Sequence, residues 1–108
     1  MARVLMTGAA GYIASQVLPA FRQHHEMVLV DVSTRDRQGQ LVDGLVTADL
    51  IDPDRSKYAH LFQGVDAVVH LAHRGRSGEN HLDHFADEKH NVEMAYNVFR
   101  TAYDAGVG

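Results

Sequence analysis

The sequence predicts an α/β protein: a parallel sheet with strand order 3-2-1-4 and helices on both faces. Two observations carry this. Short, nearly continuous apolar runs of strand length alternate along the chain with longer segments of helical period. Such runs suit strands buried on both faces, as in a parallel sheet. The first run stops at the turn Gly8-Ala9-Ala10-Gly11 and restarts as a helix, so the chain crosses over rather than folding back as a hairpin.

In order, Arg3 to Thr7 is the first strand, short, apolar and ended by glycine. A helix follows from Tyr12 to about His24, with Ile13, Val17, Leu18 and Phe21 as its apolar face. Pro19 lacks the amide that would bond to Ser15 and should bend it. Glu26 to Asp31 is the second strand, Ser33 to Gly44 a polar surface loop, and Leu45 to Ala48 a third short strand. Asp52-Pro53-Asp54 has the form of a helix start, with Asp52 as N-cap and Pro53 at the first helical position. That helix would run to about Gln63, bury Tyr58, Leu61 and Phe62, and stop at Gly64. Asp66 to Ala72 is the fourth strand, and His73 to His81 a polar loop. From about Leu82 a long helix carries Val92, Ala95, Tyr96, Phe99, Ala102 and Tyr103 on one stripe and ends near Gly106.

The chain has 108 residues, enough for one domain with a real core but little for separate cofactor and substrate regions. A net charge of -4 with scattered basic residues argues against nucleic acid or an anionic membrane as the main partner. There is no cysteine, which excludes disulfides, thiolate catalysis and thiolate metal sites and is compatible with the cytoplasm. No signal peptide and no membrane-spanning run is expected, so the chain reads as soluble. Eight histidines invite a metal reading through His70 with His73 or His81 with His84. No acidic cluster completes a first shell, and no metal is expected.

In a sheet of this order, ligands bind beyond the carboxyl ends of the strands, where the order reverses between strands 1 and 4. Gly8, Asp31, Asp49 and the segment from His70 to Arg76 all fall at those ends. Gly8 permits the sharp turn, and Gly11, without a side chain, lets the backbone approach a pyrophosphate. The helix amides at Tyr12 and Ile13 then face the phosphates with the positive end of the dipole behind them. Asp31, about 20 residues beyond the glycines, is placed as a ribose-binding carboxylate.

These residues resemble the extended short-chain dehydrogenase/reductase family, the NAD-dependent epimerase/dehydratase group. Thr7-Gly8-Ala9-Ala10-Gly11-Tyr12-Ile13-Ala14 looks like its TGxxGxxG turn, with Ala14 for the last glycine. Asp49-Leu50 is similar to its adenine-contacting pair, and Val69-His70-Leu71-Ala72 to the strand end lying along the cofactor. His90-Asn91-Val92 through Asn97 to Ala105-Gly106-Val107 resembles its long helix, except that Met94-Ala95 replaces Gly-Thr. The likeness spans the chain in register and implies a Rossmann-type NAD(P)-binding domain over 1–108, truncated before strand five and without a substrate-binding part.

The resemblance also implies roles. Gly8, Gly11, Tyr12 and Ile13 hold the pyrophosphate. Asp31 takes the adenosine ribose and so favours NAD over NADP, although Arg35 and Arg37 keep a 2′-phosphate open. Asp49 bonds the adenine amino group and Leu50 covers the ring. Leu71, Ala72 and His73 line the nicotinamide half. Asn91 matches the family's active-site Asn and equally well reads as a plain helix residue. Arg74 and Arg76 could meet an anionic substrate such as a sugar acid, or simply be solvated. The family's catalytic Ser and YxxxK pair are absent: Tyr12, Tyr58, Tyr96 and Tyr103 are followed four residues later by Gln16, Phe62, Arg100 and Val107.

Two functions stay open. One is the cofactor-binding part of an NAD-dependent oxidoreductase, epimerase or dehydratase acting on a sugar-like or other hydroxyl or carbonyl substrate. The other is a non-catalytic nucleotide-binding or interaction module that self-associates, as a homo-oligomer, through its exposed fourth strand.

Overall fold

The computed structural model describes residues 1–74 and 80–108. Its element order is β1 (Arg3–Thr7), α1 (Tyr12–His24), β2 (Glu26–Asp31), β3 (Leu45–Thr47), two 3-10 turns (Arg55–Lys57 and Ala59–Phe62), β4 (Ala67–His70) and α2 (His81–Asp104). The sheet is parallel throughout in the order β3-β2-β1-β4, as the alternation of elements predicts.

Both faces are covered because β1 and β2 are apolar at consecutive positions. Leu5 and Val30 point to one face, into a core with Leu50, Tyr58, Phe62 and Val98. Met6 and Leu29, one residue away on each strand, point to the other, where Ala14 and Leu18 of α1 close over them. Ile13 departs from its expected place on the apolar face: it is 54% exposed and lies at the mouth of the cleft described below. Helix α1 runs through Pro19 without interruption.

The third and fourth strands are shorter than expected. β3 stops at Thr47, although the Ala48 amide still reaches the Asp31 carbonyl at 3.0 Å. β4 stops at His70 because the next ladder amide but one, that of Ala72, turns to the Thr7 hydroxyl at 3.1 Å.

The helix expected from Asp52 to Gln63 does not form as such. The Asp52 carboxylate accepts from the Asp54 amide at 2.9 Å and the Asp54 carboxylate from the Ser56 amide at 3.2 Å, two side-chain turns that compete with helix nucleation. The N-cap is therefore Asp54, not Asp52, and the segment becomes two 3-10 turns. Tyr58 and Phe62 are buried nonetheless.

The long helix shows a different inner face from the expected stripe. Met94, Asn97, Val98, Thr101 and Ala102 are buried, while Val92, Tyr96, Phe99 and Tyr103 are 55–74% exposed. The buried polar groups are satisfied: the Asn97 amide donates to the Leu50 carbonyl at 2.9 Å and the Thr101 hydroxyl to the Asn97 carbonyl at 2.6 Å.

Candidate cofactor cleft

The carboxyl ends of all four strands open onto one cleft of about 540 Å³, within the usual range for small-molecule sites. Its floor is the turn between β1 and α1. Gly8 has φ +68°, and a Cβ there would lie 2.6 Å from the Ala72 nitrogen and 2.7 Å from the Leu71 carbonyl carbon. Gly8 is thus required twice, for a left-handed turn and because the chain leaving β4 passes directly over it.

Gly11 is the N-cap of α1 and offers no side chain to the first-turn amides, and no acidic residue stands in that turn. Uncapped donors at the positive end of a helix of this length form an anion site. Asp31 orients the same turn. One carboxylate oxygen accepts from the Ala10 amide at 2.9 Å and the other from the Val32 amide at 2.7 Å. Each oxygen keeps a second lone pair for a hydroxyl donor.

At the ends of β2 and β3 the cleft is lined by Asp31, Val32, Arg37, Ala48, Asp49 and Leu50. The Asp49 carboxylate accepts from the Ile51 amide at 3.3 Å, and Asn97 and Tyr58 hold the Leu50 carbonyl from beneath. Arg35, by contrast, is turned onto the Gly39 carbonyl at 2.8 Å within the 33–44 loop.

At the end of β4 the wall is Leu71, Ala72, His73 and Arg74, with His90 and Met94 of α2. Thr7 locks this wall to the turn. Its hydroxyl oxygen accepts from the Ala72 amide and stands 2.6 Å from the His70 Nδ1. Burial pushes the His70 pKa below the ordinary histidine value. Arg74 is held from α2 at both levels: its Nε lies 3.0 Å from the buried Asp87 carboxylate, and the Asn91 side-chain amide bonds both its main-chain N–H and C=O.

The structure therefore brings ten expected cofactor residues, Gly8, Gly11, Tyr12, Ile13, Asp31, Asp49, Leu50, Leu71, Ala72 and His73, onto one cleft, with Arg74 beside them. Asn91 does not line it; its amide is engaged on the Arg74 main chain. Arg76 lies outside the described residues. Sequence reasoning missed Val32, Ala48, His90, Met94 and Asp87. The only available signal was helical spacing, which sets His90 and Asp87 one turn or less from Asn91. Among the described residues no group of three or more His, Asp or Glu could hold a metal, and no helix is long and apolar enough to cross a membrane.

A family model described as the NAD-dependent epimerase/dehydratase family matches residues 4–108. No curated protein matches the chain by sequence. Among solved structures, the chain is similar to a UDP-glucose-4-epimerase from Stenotrophomonas maltophila with bound NAD and formylated UDP-arabinopyranose. The TM-score is 0.78 at 29% identity, over 99% of this chain and 35% of that one. It is also similar to uronate dehydrogenase from Agrobacterium tumefaciens, with a TM-score of 0.72, 26% identity, and 98% and 38% coverage. The Bordetella bronchiseptica enzyme WbmH in complex with NAD+ gives a TM-score of 0.70, 26% identity, and 100% and 37% coverage. The chain spans little more than a third of the length of these proteins.

Proposed function

The chain belongs to the NAD-dependent epimerase/dehydratase family, and we propose that residues 1–108 are the cofactor-binding part of an NAD-dependent oxidoreductase, epimerase or dehydratase acting on a sugar-like hydroxyl or carbonyl substrate. The observation that carries the reading is the uncapped start of α1 at Gly11, facing a cleft whose adenosine end holds Asp31. In this reading the Tyr12 and Ile13 amides bind the pyrophosphate and Asp31 accepts from the ribose hydroxyls. Asp49 takes the adenine amino group, Leu50 covers the ring, and Leu71, Ala72 and His73 line the nicotinamide half. Bound there, the cofactor supplies a hydride acceptor and donor. The chain's own contribution is binding and orientation. Asp31 and Thr7 fix the turn and the β4 wall in one geometry, and Asn91 acts by tying down the Arg74 main chain. Arg37, which lines the cleft beside Asp31, is the group that could accept a 2′-phosphate.

Calorimetric titration with NADH and NADPH tests this. We expect NADH to bind and NADPH to bind more weakly, since the Asp31 carboxylate repels a 2′-phosphate. Preference for NADPH would overturn the role of Asp31, and absence of binding by either would overturn the cofactor reading.

A second reading, an interaction module that self-associates, is favoured by one observation: β4 is an edge strand, and the outer face of α2 beside it is apolar and exposed.

A further inference from the structure

The two ends of the cleft are lined differently. The described carboxylates in its lining, Asp31 and Asp49, stand with Arg37 at the ends of β2 and β3, whereas the β4 end has Arg74, His73 and His90 and no described carboxylate in its lining. We propose that the β4 end is an anion subsite in which Arg74 and His90 receive a carboxylate of the substrate. The substrate class would then be a sugar acid rather than a neutral sugar. This rests on the cofactor reading above and deepens it.

Arg74 is not an ordinary solvated arginine. Asp87 sits on the inner face of α2 with a side chain only 4% exposed, a costly place for a carboxylate unless a cation is held against it. Arg74 meets it through Nε at 3.0 Å, and Asn91 fixes the Arg74 main chain one helical turn further on. Anchoring through Nε leaves both Nη groups unpaired among the described residues, on a side chain still 52% exposed at the cleft wall. A guanidinium immobilised in this way presents its outer fork to a planar anion such as a carboxylate with little entropy left to lose.

His90 supplies the second, independent observation. It lines the same wall, and its Nδ1 is buried without a hydrogen-bond partner among the described residues. A buried polar atom left so is unfavourable unless something in the site meets it. Asp87 is a positioning residue in this scheme, acting through Arg74.

The test uses the full-length protein loaded with NADH, titrated with D-glucuronate and, in parallel, with D-glucose, and followed by calorimetry and by amide NMR shifts. Glucuronate should bind at least about tenfold more tightly than glucose, with shifts at Arg74 and His90. Arg74→Gln should remove that preference, lowering glucuronate affinity by a larger factor than NADH affinity. Arg74→Lys, which keeps the charge but not the fork, should retain part of it. Asp87→Asn should lower the acid-to-neutral ratio, a quantity that a merely structural role would not move. Equal binding, or no binding, of the two sugars by NADH-loaded protein would overturn the proposal. So would an Arg74→Gln variant that loses NADH as much as glucuronate, because Arg74 would then be a contact for the cofactor phosphates. Failure of the wild type to bind NADH would be read separately: the cofactor reading falls first and takes the subsite with it.

Discussion

Thr7 connects the phosphate turn to the far wall of the cleft through one hydroxyl. A threonine hydroxyl has one proton and accepts with its lone pairs. Its oxygen accepts from the Ala72 amide and still has a proton and a second lone pair with which to meet the His70 Nδ1, in whichever tautomer His70 adopts. Burial opposes a charge on the His70 ring. The sign of the pH dependence follows. An unfolded histidine titrates near 6.5, while the folded one titrates lower. As pH falls through 6.5 the unfolded state takes up the proton first, and stability drops until the folded pKa is passed. Denaturant unfolding at about pH 8 and about pH 5.5 should show this loss, and His70→Gln should reduce it. Asp52 and Asp104, held below the usual carboxylate value by Lys57 and Arg55, stabilise above 3.8 and lose their contribution only in stronger acid, outside this window. An unchanged acid loss in His70→Gln would refute the assignment.

At the scale of elements, α2 holds the adenosine end of the cleft through Asn97. Its side-chain amide donates to the Leu50 carbonyl at 2.9 Å, and the Tyr58 hydroxyl reaches the same oxygen only at 3.5 Å. Asn97→Leu keeps the volume but leaves that carbonyl poorly satisfied. It should destabilise the fold by about 1–3 kcal/mol and weaken NADH binding, because Leu50 would no longer be held. Denaturation midpoint and NADH affinity both unchanged would disprove the coupling. This contact shows where sequence reading ends. The bounds of β1, α1 and β2 were legible because Gly8 and Gly11 punctuate the first turn and the apolar runs admit one placement. Helix α2 was legible as a helix but not in orientation. Its large apolar residues lie on the outer face, while the inner face mixes Met94 and Val98 with Asn97 and Thr101, whose suitability depends on the Leu50 carbonyl and on the helix itself. Hydrophobic period alone selects the wrong side in such a helix. The 52–63 segment misled for a related reason, since aspartates that signal a helix start also make the turns that prevent one.

For the whole molecule, strand order decides more than any motif. A parallel sheet in the order β3-β2-β1-β4 sends every carboxyl end to one edge, and this is why residues as distant in sequence as Gly8, Asp49 and His73 were readable as one site. His90 and Asp87 were not readable, because what they do depends on a buried ion pair and an unpartnered nitrogen rather than on position. The same order leaves β4 at the edge of the sheet. Beside it, Leu82, Phe85, Val92, Tyr96, Phe99 and Tyr103 run along α2 at spacings of three, four or seven, all 55–74% exposed. The His70 and Phe99 rings meet edge to face at 5.5 Å, so strand edge and helix stripe form one surface. Glu93 and Arg100 flank the stripe one heptad apart, so an antiparallel second copy of α2 would set each against its opposite charge. The isolated chain should therefore form dimers whose population rises with concentration in sedimentation velocity. The double variant Tyr96→Glu with Phe99→Glu should sediment as a monomer and bind NADH as before, since neither side chain lines the cleft. A wild type that stays monomeric up to about millimolar concentration would show that this surface does not recognise its own copy.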